Sequence, residues 1–218
     1  MIKEVIDLST TIESLSTPVF PGYPQPLKST YTTIPENGYL SHIWSFAEHT
    51  GTHVDAPAHF IKGDLTVDKV PISRYVGNGV VLDFSKKPPK YAITRNDVIN
   101  SLKAAGNKNV GPGWMLFFYT GYTSKGGTPE WMDHPELSNE ACRFIAEKKV
   151  NAIGFDAPSP DRGDFPAHHI LLPEKIAIFE SLKNLEKLLN RDFMFVGAPL
   201  PLVGGSASPV RALAIILS

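Results

Sequence analysis

The sequence predicts an α/β fold on a mixed sheet. Short apolar or alternating runs with strand character recur at 2–8, 27–33, 40–47, 79–84, 114–119, 150–155 and 176–179, and helical patterns fall between the later ones. The early half is almost all strand, which argues against a simple doubly wound sheet. No repeat, low-complexity tract or linker divides the chain, so one domain over residues 1–218 is expected.

In order along the chain, residues 2–8 alternate well enough for a first strand. Ser16 to Pro26 then packs four prolines and a glycine into eleven residues, which excludes a helix or central strand and leaves a semi-rigid loop. Phe20 and Tyr23 sit on it, either on a plain surface turn or as the aromatic wall of a pocket. Runs 27–33 and 40–47 read as strands, the second leading into a histidine-rich segment. Trp44 and Phe46 share parity there, and at least one of them is expected in the core. GVVLDF at 79–84 reads as a buried strand. The spacing predicts a helix over 94–105, with Thr94 as N-cap, Asp97 in the first turn, an apolar stripe of Val98, Ile99 and Leu102, and Gly106 as the stop. A buried strand at 114–119 ends at Thr120-Gly121. Ser138 caps a second helix reaching Lys149, and the apolar strand 150–155 closes on Asp156-Ala-Pro-Ser-Pro-Asp161.

Composition narrows the function classes. A 42% hydrophobic and 20% charged content is that of an ordinary soluble globular chain. Net charge is −1 from 21 basic and 22 acidic residues, which carries no footprint for nucleic acid. No apolar stretch approaches the ~18 residues of a membrane span, and MIKEVIDLST lacks the apolar core of a signal peptide. The single Cys142 cannot form an internal disulfide, which fits a reducing, cytoplasmic setting. Its place inside a helix suits a buried structural thiol rather than a nucleophile. Gly204-Gly-Ser-Ala-Ser208 is not a GxSxG elbow, and no GxGxxG or GxxxxGK[ST] occurs, which argues against a serine hydrolase or a nucleotide site.

The chemistry concentrates in His49-Thr-Gly-Thr-His-Val-Asp-Ala-Pro-Ala-His-Phe60, which holds three of the seven histidines. Gly51, Pro57 and three β-branched residues disfavour a helix. In an extended segment His49, His53, Asp55 and His59 share one face, while Thr50, Thr52, Val54, Ala56, Ala58 and Phe60 share the face that packs. A lone histidine on a strand is ordinarily a solvated polar residue; four ligand-type side chains on one face point to a metal site. A straight strand would hold the His49 and His53 backbones about 13 Å apart, so Gly51 is expected to supply a bend, whereas His53 and Asp55, about 6.6 Å apart, converge directly. Further along, Glu180 follows the apolar run 176–179. From the residues alone it is either a solvated glutamate, as most are, or one recruited inward at a strand end.

HTGTHVDAPAHF resembles the HxGTHxDxPxHF signature of the cyclase family of metal-dependent hydrolases, which includes the bacterial kynurenine formamidases. The resemblance continues through GFDAPSPD and GGSASPVRALAI. It implies a swivelling β/β/α-type single domain with a mixed sheet. It implies further that His168, before a leucine pair, and Glu180, twelve residues on, are metal ligands, with His169 left to packing or support. Asp55 would bridge two divalent ions per subunit, one held by His49 and His53, the other by His168 and Glu180. Zinc is the leading metal and manganese suits the same thiolate-free donor set. By the same resemblance His59 is the general acid/base and Phe20, in a TPVFPG loop where the family typically has TPVWPG, contacts substrate. The activity implied is arylformamidase, converting N-formylkynurenine to kynurenine and formate in tryptophan catabolism. The phenylalanine keeps open another cyclic or aryl amide, as in an isatin hydrolase, or a cyclase acting on an oxygenated ring. A non-catalytic metal-binding protein is the alternative outside enzymes. A homodimer or homotetramer is also implied.

Overall fold

The computed structural model describes residues 1–218. In chain order its strands are β1 (Ile2–Asp7), β2 (Leu27–Thr32), β3 (Ser41–Ser45), β4 (His53–Asp55), β5 (Val76–Asp83), β6 (Ala92–Ile93), β7 (Trp114–Tyr119), β8 (Glu136–Leu137), β9 (Ala152–Phe155), β10 (Ala177–Glu180), β11 (Phe193–Val196), β12 (Ala207–Pro209) and β13 (Leu213–Leu217). The helices are α1 (Ile34–Asn37), α2 (Arg95–Ala104), α3 (Asn139–Lys148) and α4 (Pro166–Leu171).

Nine strands form one mixed sheet in the order β1-β13-β11-β5-β7-β9-β10-β4-β12. Its centre, β5-β7-β9-β10, is parallel, and the flanking pairs are antiparallel. Parallel strands are buried on both faces and so read as unbroken apolar runs, which is why β7 is WMLFFY. Alternation sends Leu116 and Phe118 to one face, against Val98 and Leu102 of α2 and Phe144 and Ile145 of α3. Met115 and Phe117 go to the other, where they meet Ile6, Val54, Phe179, Phe195 and Ile216 from five further strands. A bridge from Ser9, just past β1, to Leu182, just past β10, ties one edge of the sheet back towards its middle and rolls it around this second cluster. The roll is tight at Gly154, where an added Cβ would lie 2.6 Å from Phe117 Cδ1 and 2.7 Å from Leu182 Cδ1.

The helix signals are realised within a residue or so. Thr94 Oγ1 accepts from Asp97 N at 3.1 Å while the Asp97 carboxylate accepts from Thr94 N at 2.9 Å, a reciprocal capping box. Ser138 Oγ accepts from Ala141 N to start α3. Cys142 is buried within α3, and burial pushes its thiol up to about 12, so no thiolate nucleophile exists near neutral pH. No helix is long and apolar enough to cross a membrane.

One packing expectation fails. Trp44 and Phe46 are both exposed, at 40% and 39%, and neither joins a core cluster. The reason is topological: β2 and β3 pair only with each other, and no further layer covers their hairpin. Strand β3 ends at Ser45, one residue before Phe46, so the expected parity does not extend to it.

The functional end of the molecule lies where the parallel strands finish. Glu180 closes β10, the loop 156–161 follows β9, and β4 runs antiparallel beside β10 with His53 opposite Glu180 and Asp55 opposite Ile178. Ligands in open α/β sheets gather at carboxyl ends of strands for this reason.

Candidate metal centre

The segment 49–60 is extended only over β4. Before it the chain turns through Gly51 at φ 63, a left-handed conformation that favours glycine, and an added Cβ there would come 3.2 Å from Ile12 Cγ1. After it Pro57–His59 forms a 3-10 turn. The bend required of Gly51 is present, and it brings the His49 and His53 rings to a centroid separation of 5.0 Å. Strict alternation holds only partly. Thr50, Thr52, Val54 and Ala56 are buried as expected, but so is Pro57, and Phe60 is only partly buried, packing against the edge of the larger core cluster. The turn at 57–59 swings Phe60 into the site, where its ring stacks on that of His168 at 4.5 Å. A uniformly extended strand cannot include that turn, so the parity argument ends at Ala56.

Four of the five expected ligands converge on the fifth, Asp55. Its Oδ1 lies 2.9 Å from His49 Nδ1 and 3.5 Å from His53 Nε2, and its Oδ2 lies 3.4 Å from His168 Nε2. Glu180 is buried: Oε2 is 3.3 Å from His53 Nε2 and Oε1 is 3.4 Å from His168 Nε2. Despite this crowding, His53 Nε2, both Asp55 oxygens and Glu180 Oε1 have no aligned hydrogen bond. Buried polar atoms are nearly always paired, and orphaned ones cost stability. Carboxylate oxygens and imidazole nitrogens converging without bonding to one another are the donor set of a divalent cation, so the residues present fit one. The two Asp55 oxygens face different partners, His49 and His53 on one side and His168 on the other, as a bridging carboxylate would. Two groups whose ligand atoms all lie within 4.8 Å of one another are His53-Asp55-Glu180 and His49-Asp55-His59. His59 therefore sits within reach of the centre.

The outward nitrogens set His59 apart from the other three imidazoles. His53 Nδ1 donates to the Gly51 carbonyl at 2.9 Å, leaving the Nε2 lone pair facing in. His168 Nδ1 lies 3.0 Å from Asp161 Oδ1. His49 Nε2 lies 3.3 Å from Ser206 Oγ, and that hydroxyl donates to Glu48 Oε2 at 2.7 Å. Metal-binding imidazoles are characteristically held this way. The His59 ring has no such anchor. It packs 4.1 Å from the His49 ring, 4.7 Å from Phe60 and 5.9 Å from His168.

Electrostatics agree. Burial would push His53 down, but Glu180 and Asp55 outweigh it and carry the ring up to about 9. Burial likewise opposes charge on His168, and Asp161, Asp55 and Glu180 override it and hold its pKa well above the usual value. The Asp55 carboxyl is held well below its usual range, since His49 and His168 outweigh its burial. His59 goes the other way: burial lowers it, and the neutral base is favoured.

Above this floor opens a cavity of about 160 Å³. Phe20 lines it as expected, set edge-on to Tyr23 at 6.5 Å, and Tyr23 in turn meets the His49 ring at 5.6 Å. Trp131, Phe60 and Phe165 complete the aromatic wall. His169 is exposed and meets Phe60 edge-on at 5.0 Å, a packing contact away from the carboxylates. Sequence reasoning did not single out Glu48, Phe60, Trp131, Asp161, Phe165 or Ser206 for the site. Asp161 and Ser206 do lie in the GFDAPSPD and GGSASPV stretches, polar residues in otherwise small or apolar motifs, and that was the available signal.

Comparison with known proteins agrees with this geometry. The family described as "Putative cyclase" matches residues 6–162. The chain is 33% identical over 218 residues to the kynurenine formamidase of Salinibacter ruber, covering 96% of each chain. Among solved structures it superposes with a TM-score of 0.89 on an isatin hydrolase bound to the product analogue thioisatinate, at 25% identity, covering 99% of this chain and 93% of that one. It superposes with a TM-score of 0.80 on a potential metal-dependent hydrolase with cyclase activity, at 27% identity, covering 99% of this chain and 98% of that one. On the matched signature, the shared fold and the converging donor set, the chain belongs to the cyclase family of metal-dependent hydrolases.

Proposed function

We propose that the protein hydrolyses an amide whose nitrogen is carried by an aromatic ring, with N-formylkynurenine, cleaved to kynurenine and formate, as the first candidate. One observation carries this reading: orphaned carboxylate and imidazole atoms form the floor of a cavity whose walls are aromatic. His49, His53, Asp55, His168 and Glu180 would hold divalent ions, two per subunit with Asp55 between them, zinc first and manganese second. A bound ion supplies a Lewis acid and lowers the pKa of water to about 7. The protein's own side chains do the rest. Phe20, Phe60, Trp131 and Phe165 take the aryl ring and exclude bulk water. His59, kept neutral by burial, takes the proton from the attacking water; as the carbonyl carbon gains that oxygen and the C–N bond breaks, it returns the proton to the departing aryl nitrogen.

A second reading, hydrolysis of a cyclic aryl amide such as isatin, draws on the phenylalanine at position 20 and on the likeness to the isatin hydrolase fold. We further propose a homodimer or homotetramer. The exposed Leu27, Tyr31, Ile43 and Trp44 of the β2–β3 hairpin support it, since apolar surface of that kind ordinarily marks an interaction site. A reducing, cytoplasmic setting belongs to the same reading, supported by the unpaired, buried Cys142.

The test is to strip the protein of metal, reload it with zinc or manganese, and assay N-formylkynurenine, formanilide and isatin side by side. Metal-dependent cleavage favouring the formamides supports the first reading, and a preference for isatin supports the second. Reloaded protein inert to all three would overturn both.

A further inference from the structure

Each inward-facing imidazole is oriented from behind, but the three anchors differ in kind. A carbonyl holds His53 and a hydroxyl meets His49, whereas a carboxylate stands directly behind His168. We propose that Asp161 is a positioning residue that dictates which nitrogen of His168 carries the ring proton, and so whether the inward Nε2 lone pair is free for the ion beside Glu180.

The hydrogen bonds leave Asp161 no freedom. It is fully buried, and its Oδ2 accepts from Ala167 N at 2.6 Å and His168 N at 3.2 Å. Backbone amides only donate, so the atom at the Oδ2 position must be an oxygen. Oδ1 meets Ser159 Oγ and His168 Nδ1, each at 3.0 Å. Facing an acceptor, Nδ1 carries the ring proton, and the Nε2 lone pair is left pointing at Asp55 and Glu180.

An asparagine at this position has nearly the same shape but cannot play the same part. Its oxygen must take the Oδ2 place opposite the two amides, which puts its NH₂ against His168 Nδ1. The ring must then accept at Nδ1 and carry its proton on Nε2, where no ion can bind. The same logic makes an Asp-to-Asn change behind a catalytic histidine select the wrong tautomer in serine proteases.

The inference rests on reading His168 as a ligand, and the experiment separates the two. Metal-free wild type, Asp161→Asn, Ser159→Ala and His168→Ala are titrated with zinc by calorimetry, and bound zinc is counted by elemental analysis. The expected Asp161→Asn result is one zinc step lost or weakened by at least the ~10–100-fold typical of such partners, with the other step preserved. Ser159→Ala, which removes a neighbour of Asp161 without altering the tautomer, should bind as wild type does. Wild-type binding by Asp161→Asn would overturn the proposal. Full zinc binding by His168→Ala would instead overturn the ligand reading beneath it. If Asp161→Asn fails to fold, long-range ¹H–¹⁵N correlations on zinc-loaded wild type decide: a proton on His168 Nδ1 is expected, and a proton on Nε2 refutes the proposal.

Discussion

Replacing His59 by alanine should separate metal binding from proton transfer. The ring is anchored by no hydrogen bond and meets its neighbours through ring contacts, tilted at 4.1 Å from His49 and edge-on at 4.7 Å from Phe60. Its removal leaves untouched the contacts of His49, His53 and His168 with Ser206, Gly51 and Asp161. Metal content should therefore stay at the wild-type level. A positioned general acid/base is worth about 10²–10⁴-fold in rate, which at about 1.36 kcal/mol per decade amounts to about 2.7–5.4 kcal/mol of transition-state stabilisation. The loss should fall on kcat more than on KM, because the cavity wall of Phe20, Trp131 and Phe165 proposed to take the substrate ring is unchanged. A pH profile sharpens the test. Burial lowers the His59 pKa below its ordinary value near 6.5, and a neighbouring cation moves it the same way. The neutral ring is the competent base, so kcat/KM should fall as pH drops through that lowered value. In His59→Ala that limb should vanish over the pH range where zinc remains bound. The assay is formamide hydrolysis with zinc counted in the same samples. Turnover within about threefold of wild type at full zinc content would remove His59 from the chemistry, the loss being far below that of a general acid/base. Loss of an ion together with activity would make His59 a ligand beside His49 and Asp55.

Metal binding itself should weaken as pH falls. His53, raised to about 9, and His168, raised well above its usual value, hold protons that a cation must displace, so apparent affinity rises with pH and is lost on acidification; equilibrium dialysis from pH 9 to pH 5 measures it. Far from the site, Thr94→Ala removes the cap of α2 and should cost about 1 kcal/mol. For a chain of this size that lowers Tm by roughly 2–4 °C by calorimetry, with zinc content and turnover unchanged.

What could be read from the sequence follows from how far each interaction reaches along the chain. Strand β7 was legible because six consecutive apolar or aromatic residues leave no polar face to expose. Helix α2 was legible because its start signal, Thr94 with Asp97, is complete within four residues. The bend at Gly51 was legible because two imidazoles four residues apart cannot meet without one. The anchors were not, since Ser206 meets His49, and Asp161 meets His168, only after the sheet has formed. Trp44 and Phe46 failed for the opposite reason: parity is local, but whether a layer covers that face is decided by the whole topology, or by another molecule.

The meeting of the two halves of the centre depends on a strand of three residues. In the β4–β10 pair His53 stands opposite Glu180, Val54 opposite Phe179 and Asp55 opposite Ile178. So short a ladder specifies its register weakly by hydrogen bonds alone. What fixes it is Val54 and Phe179, both fully buried in the cluster inside the rolled sheet. A slip of one residue would turn Val54 away from that cluster and drive His53 and Asp55 into it, exchanging apolar burial for unpaired polar groups. The apolar residue between the two candidate ligands is therefore part of the candidate centre's construction. Packing sets the register, and the register sets the 3.3 Å approach of Glu180 to His53.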